Sequence, residues 1–350
     1  MGIQKLKMIT VIFILAIMTA LLAGCSGKNE KQAEKKEKTV TVTDAKGKVE
    51  IPADPKRIVD ISGNSDILSI LGYSVIGTAN SDAYDYTKYP AYLEKTLKNA
   101  EILGYSMQDK MDVEKILALK PDLIIISSVQ EKMYQQLSKA APTVMLKLAQ
   151  TDWKEDVKAV AKIMHKEDAA KKWLDQYEKK AAEKGKEIKK VMGDDKTYLS
   201  ILASGGQIFV YDKAGIGSIL YDDMGLKRPK GLPKQKDISL PVVSYEGLAS
   251  IEADYILAVG TKDDMAALKK NSVWKQLRAV NQGHVTELPA SPYFNQGYSS
   301  IGRLAFLDEM NGLMEKMNDS EHCCFSHSLH GSPVYGDVSG CFSGSEKAAV

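Results

Sequence analysis

Between residues 26 and 317 the chain holds two histidines, His165 and His284, and no cysteine. A zinc or manganese centre needs three or four converging His, Asp, Glu or Cys ligands, so no metal held directly by the protein is expected. His284 opens the strand-like run HVTELP and suits a structural role. The motifs of nucleophilic, metal-assisted and phosphate chemistry are missing: GTKDD and ASGGQ lack the P-loop spacing, and Gly215-x-Gly217 has no third glycine where a dinucleotide fold needs one. No catalytic residue is assigned, and no enzyme activity is expected. What the chain does have is tyrosine, sixteen against six phenylalanines. A tyrosine offers a flat apolar ring with a hydrogen-bonding tip, which suits contact with a large organic ligand.

A second pattern is a pair of acidic spacings. In VEKILALKPDLIII, Glu114 precedes Asp122 by eight residues; in YEGLASIEADYILA, Glu246 precedes Asp254 by the same interval. Each glutamate falls in the first turn of a helix, opposite the leucines, and should face solvent. A carboxylate there also meets the positive end of the helix dipole, worth about 0.3–1 kcal/mol. Stabilising its own helix and contacting a partner are therefore both open to each glutamate taken singly. Finding the same residue at the same place in both halves favours contact.

The elements that must carry these residues alternate in kind. KRIVDIS, YSVIGTA, DLIIISS and PTVML read as strands, with helical patterns in NSDILSILG, MDVEKILALK and EKMYQQLSKA between them. The alternation resumes after residue 195 with TYLSILAS, QIFVYD, DYILAVG and HVTELP. This is the grammar of mostly parallel sheets covered by helices, an α/β class with two lobes. Between the halves Glu167–Met192 contains no proline and a single glycine, and Ala170, Trp173, Leu174, Tyr177, Ala181, Ile188 and Val191 keep helical spacing. Such a helix is about 39 Å long at 1.5 Å per residue, enough to join two lobes stiffly.

The leader carries Lys5 and Lys7 and then an uncharged run over 8–22, shorter than the ~20 apolar residues of a membrane span. It ends at Leu22-Ala23-Gly24-Cys25, which resembles the lipobox of bacterial lipoproteins. The resemblance implies cleavage before Cys25, lipidation of its thiol and an extracytoplasmic, membrane-anchored protein. Residues 26–38 are almost all polar and read as a flexible tether. Removal of the leader's two lysines leaves 45 basic against 45 acidic residues. A balanced charge argues against nucleic acid as a partner.

IPADPKRIV, DVEKILALKPDLIIISS, LSKAAPTV, DDMGLKRP and NSVWKQLRAVNQGHV, taken with the lipobox, resemble the iron–siderophore substrate-binding lipoproteins of ABC importers over residues 41–310. The resemblance implies two Rossmann-like lobes joined by one rigid helix, of the class III periplasmic-binding-protein type, acting as a monomer. It also implies a ferric-siderophore ligand instead of a cofactor, delivery to an ABC permease with its ATPase, and Glu114 and Glu246 as the permease-docking pair. The expected boundaries are a leader to 24, Cys25 and tether to 40, a first lobe 41–165, the helix 166–193, a second lobe 194–317 and an atypical tail 318–350.

Open α/β sheets bind ligands beyond the carboxyl ends of their strands. The loops there place Asn64, Ser81, Tyr84, Tyr86, Tyr105, Ser127 and Gln130 on the first-lobe rim and Ser204, Tyr211, Tyr293, Asn295 and Arg303 on the second. Hydroxamate readers in the resembled family commonly carry Trp and Arg where this chain has YDKAGIGSILYDDMG, and catecholate readers often carry Arg-x-Arg where it has ILASGG. Neither pattern is met; a hydroxamate or mixed citrate–hydroxamate chelate is preferred. Met107 raises haem as an alternative, since haem iron accepts a methionine ligand. Cobalamin, another chelate, or a ligand sensor without a transport role also fit the fold.

After Met317 the sequence loses periodicity and gathers His322, Cys323, Cys324, His327 and His330. Their spacing matches no standard zinc pattern. The composition predicts a disordered extension, such as a frameshifted end would give.

Overall fold

The computed structural model describes residues 38–149 and 151–325. Lipidation at Cys25, the leader, most of the tether and the tail beyond Phe325 lie outside the described residues. Both lobes belong to one compact unit that begins at Val40.

The first lobe is built on five parallel strands in the order β5-β4-β3-β6-β7: β3 (Ile58–Asp60), β4 (Val75–Thr78), β5 (Glu101–Ile102), β6 (Leu123–Ser127) and β7 (Thr143–Leu146). A hairpin of β1 (Thr39–Asp44) and β2 (Gly47–Pro52) precedes it. Because successive strand residues point to opposite faces, Ile58, Leu123, Ile125 and Val144 enter one core, while Val59, Ile124, Ile126 and Met145 enter the other. A sheet buried on both faces explains why IIIS reads as a continuous apolar run.

The second lobe repeats the order as β10-β9-β8-β11-β12: β8 (Tyr198–Ser204), β9 (Gln207–Val210), β10 (Val242–Val243), β11 (Tyr255–Gly260) and β12 (Val285–Pro289). Here β8, β11 and β12 are parallel, whereas β9 pairs antiparallel with both β8 and β10. The cause is local. Gly205 and Gly206 both have positive φ, +58° and +78°, and make the two-residue turn that folds a chain straight back on itself. The second sheet is therefore less uniformly parallel than the strand–helix alternation suggests.

The central strands of the two lobes are fastened alike. Asp122, just before β6, accepts from the amides of Lys56 and Arg57 at 2.7 and 2.9 Å. Asp254, just before β11, accepts from the amide and hydroxyl of Thr197 at 2.9 and 2.7 Å. The eight-residue spacing thus ends, in each lobe, on a carboxylate that registers the fourth strand of the sheet against the first.

The connecting helix spans Glu167–Met192. Ala170 and Leu174 pack into the first-lobe core, and Tyr177, Ala181, Ile188 and Met192 into that of the second. Where it passes from one to the other, Trp153, Trp173 and Tyr177 form a ring cluster, and the Arg303 guanidinium lies 4.6 Å from the centre of the Trp153 ring. Arg303 pairs with buried Asp223 at 2.7 Å, and Tyr177 donates to the same carboxylate at 2.8 Å. The last helix runs Ser300–Phe325, past Met317 where the sequence reading begins an aperiodic tail. The stretch from Leu313 to Phe325 has neither proline nor glycine, so nothing interrupts the helical hydrogen bonds there.

Candidate functional site

A cleft of about 680 Å³ opens between the lobes at the carboxyl ends of the strands. From the first lobe it is walled by Asn80, Ser81, Tyr84, Tyr86, Tyr92, Tyr105 and Met107; from the second by Ser204, Phe209, Ile238, Leu240, Phe294, Asn295 and Tyr298. None of its lining residues carries a charge.

The rings are set in fixed relations. Tyr86 stacks on Tyr105 at 5.2 Å, and Tyr84 reaches across the cleft to meet Phe294 edge-on at 5.9 Å. Desolvation pushes the Tyr105 phenol up to about 12. Burial also raises Tyr84, Tyr92 and Tyr298, with the hydroxyl of Ser204 drawing Tyr84 partly back. These phenols therefore stay protonated at neutral pH, and the wall is aromatic, neutral and able to donate hydrogen bonds. At the cleft wall Asn295 donates to the Ser81 carbonyl at 3.3 Å, and Ser291 donates to Asp82 at 2.6 Å, tying the two lobes.

Of the twelve rim positions expected from the sequence, Ser81, Tyr84, Tyr86, Tyr105, Ser204 and Asn295 stand in the cleft wall. The other six do not. Gln130 is fully buried; its amide donates to the carbonyls of Ser106 and Gln108 at 2.6 and 2.9 Å, so it holds the Tyr105–Met107 loop from behind. Ser127 is buried beside it and donates to Gln130 Oε1 at 2.9 Å. Asn64 belongs to a buried network around Asp60, which accepts from Ser62, Asn64 and Ser65. Tyr211 lies wholly inside the second-lobe core. Tyr293 donates to Glu309 at 2.7 Å outside the cleft lining. Arg303 is spent on Asp223 and Ser218 at the lobe junction, so it offers no cation to a ligand. Strand ends fix which loop faces the cleft, but Gln130 and Ser127 turn inward to satisfy loop backbone groups. Asn64, Tyr293 and Arg303 are held by other side chains, and Tyr211 fills the core.

Tyr92, Phe294, Tyr298 and the segment Ile238–Leu240 also line the cleft, beyond the positions expected from strand ends. Tyr298 lies in SPYFNQGYSSIGR beside Tyr293 and Asn295, and its aromatic type is the available signal. Segment 238–240 carried none, being a loop far in sequence from any strand end of the first lobe. Met107 is 53 % exposed at the cleft, but His284 is buried against the Tyr255 ring at 4.6 Å, outside the lining. Among the described residues no group of three or more His, Cys, Asp or Glu side chains could hold a metal.

Glu114 and Glu246 are both exposed, each the second residue of its helix. The capping bonds are made by their neighbours: Asp112 accepts from the Lys115 amide at 3.1 Å and Ser244 from the Gly247 amide at 3.0 Å. The glutamates are thus not needed as caps, and neither forms an ion pair among the described residues.

Comparison with known proteins accords with this architecture. The family model described as periplasmic binding protein matches residues 63–292. The iron(3+)-hydroxamate-binding protein FhuD of Bacillus subtilis (strain 168) is 35 % identical over 311 residues, covering 85 % of this chain and 95 % of that protein. Staphylococcus aureus SirA, solved with staphyloferrin B, aligns with a TM-score of 0.63 at 29 % identity over 80 % of this chain and 99 % of SirA. Unliganded FhuD2 from Staphylococcus aureus aligns with a TM-score of 0.64 at 27 % identity, over 81 % of this chain and 100 % of FhuD2. Two α/β lobes on one long helix, a neutral aromatic cleft between them and these similarities together make the chain a member of the periplasmic binding protein family, among its siderophore-binding ABC-transporter lipoproteins.

Proposed function

We propose that this protein captures a ferric siderophore with a hydroxamate-rich, electrically neutral shell in the interlobe cleft and hands it to an ABC permease with its ATPase. It acts by binding alone, as a monomer lipidated at Cys25 on the outer face of the cell membrane, with Glu114 and Glu246 seating it on the permease.

The observation that carries the chelate class is the uncharged cleft wall. Three singly charged hydroxamates cancel the charge of Fe(III), so their complex can enter an apolar site without stranding a charge. A tris-catecholate complex is a trianion, and burying it without cationic partners is costly. Arg303, the one cation among the rim positions expected from the sequence, is already paired with Asp223. The raised tyrosine phenols supply donors to chelate oxygens, and their rings supply apolar area. The relative named as an iron(3+)-hydroxamate-binding protein supports the same reading.

Titration of the protein with ferric chelates, followed by quenching of tyrosine and tryptophan emission, tests it. One-to-one saturation is expected at nanomolar to micromolar ferric hydroxamate, with binding at least about a hundredfold weaker for a ferric tris-catecholate. Equal or tighter catecholate binding would overturn the chelate class. Absence of binding to every chelate would overturn the function.

A further inference from the structure

From 224 to 241 the chain forms neither helix nor strand, apart from single bridges at Lys227 and Lys230. Irregular loops longer than about 12–15 residues are uncommon in compact domains and usually serve a function. Its far end places Ile238, Ser239 and Leu240 in the cleft wall. Within LPKQKDIS, Lys234, Lys236 and Asp237 are exposed, whereas Gln235 between them is 2 % exposed.

Every bond of Gln235 ties this loop to the body of the second lobe or to itself. Its amide nitrogen on the main chain donates to Asp212 Oδ2 at 3.1 Å. Its side-chain oxygen accepts from the amides of Lys213 and Ala214 at 3.0 and 3.1 Å, and its Nε2 donates to the Ile238 carbonyl at 3.2 Å. Asp212 is held in turn: Arg228 Nε donates to its Oδ1 at 2.8 Å, Arg228 Nη2 reaches Asp222 at 2.7 Å, and the guanidinium lies 4.6 Å from the centre of the Tyr221 ring. A buried apolar residue would anchor a loop at some depth; directional hydrogen bonds to two separate segments fix its position as well.

We infer that Gln235 is a positioning residue for ligand selection: through Asp212, Lys213 and Ala214 it sets how far Ile238–Leu240 stand into the cleft, and so which sizes of chelate shell fit. The inference rests on the cleft being the chelate site. It goes beyond that reading by placing part of the size selectivity in a side chain that never touches the ligand.

The full chain and its Gln235→Ala variant are titrated with compact ferric acetohydroxamate and with bulkier N-acetylated ferrioxamine B, both neutral tris-hydroxamate chelates. The variant should melt as a folded protein and change the ratio of the two dissociation constants by about tenfold. In its background, Ile238→Ala should lose most of the effect it has on that ratio in the unaltered chain. An unchanged ratio, including equal weakening toward both chelates, overturns the inference, because equal weakening is what a general loss of structure gives. Failure of the unaltered chain to bind either chelate would strike the cleft reading instead. If the Gln235→Ala variant does not fold, hydrogen exchange on the unaltered chain decides. The Lys213, Ala214 and Gln235 amides should exchange at least about a hundredfold more slowly than free peptide before any chelate is added, and the 238–240 amides should slow further on binding. Free-peptide rates at the first set, or no change at the second, overturns it.

Discussion

Asp66 is buried in the first lobe, and a single oxygen, Oδ2, receives the Ser299 hydroxyl at 2.8 Å and the amides of Ser300 and Ile301 at 2.6 and 3.4 Å. It thereby holds the start of the last helix. Desolvation raises its pKa above the unfolded-state value, and the hydrogen bonds offset this only in part; Asp60 is shifted in the same direction for the same reason. For a carboxyl whose folded-state pKa is raised, the contribution to stability is complete below the unfolded value of about 3.9 and is lost as pH rises through the folded-state value. Asp66→Asn keeps one oxygen for all three donors and removes the titration. The variant should be more stable than the parent at neutral pH, by a margin that shrinks as pH falls through the raised pKa. Urea unfolding at a series of pH values measures this, and a margin independent of pH would contradict it.

Among the elements, the connecting helix does most to define the molecule. Its one glycine has a steric purpose: a Cβ built on Gly185 would lie 1.8 Å from the Met224 carbonyl oxygen. An alanine at an ordinary helical position would gain about 0.5–1 kcal/mol over glycine. Here it must push backbone against backbone, and overpacking of this kind typically costs about 1–3 kcal/mol. Gly185→Ala should therefore lower the midpoint of thermal unfolding, and a raised midpoint would refute the close approach. The helix itself was legible because Glu167–Met192 keeps one apolar stripe through seven turns with no proline and a single glycine. The antiparallel β9 was harder to foresee, since its sense depends on the short Gly205–Gly206 turn and not on the composition of the strand.

At the scale of the whole molecule, the two lobes present equivalent short helices, and each carries an exposed glutamate beside a residue that does the capping. Exposed ion pairs are worth only about 0–1 kcal/mol each, so a docking pair acts by orienting the receptor as much as by holding it. Changing Glu114 and Glu246 together to Ala should reduce chelate uptake by about tenfold or more while leaving the chelate's dissociation constant unchanged. Uptake assays in cells beside titration of the purified variant separate the two; undiminished uptake would remove the docking role. The aromatic and charged knot of Trp153, Tyr177, Asp223 and Arg303 lies where both lobes meet the long helix, which favours limited rocking over wide opening.

Sequence alone determined the α/β class, the division into two halves, the helix between them and the paired glutamates. Each is written in local periodicity or in a spacing that repeats, and a period of two or of 3.6 survives without knowledge of distant contacts. Only the tertiary structure decided which tyrosines face the cleft. Tyr84, Tyr92, Tyr105 and Tyr298 line the cleft while Tyr211 fills a core, although all are the same residue type in similar surroundings. It likewise decided that Arg303 is paired inside and that Gln235 anchors a rim. Those outcomes depend on partners tens of residues away, such as Asp223 for Arg303 and Asp212 for Gln235, and burial of a polar group is fixed by whether such a partner arrives.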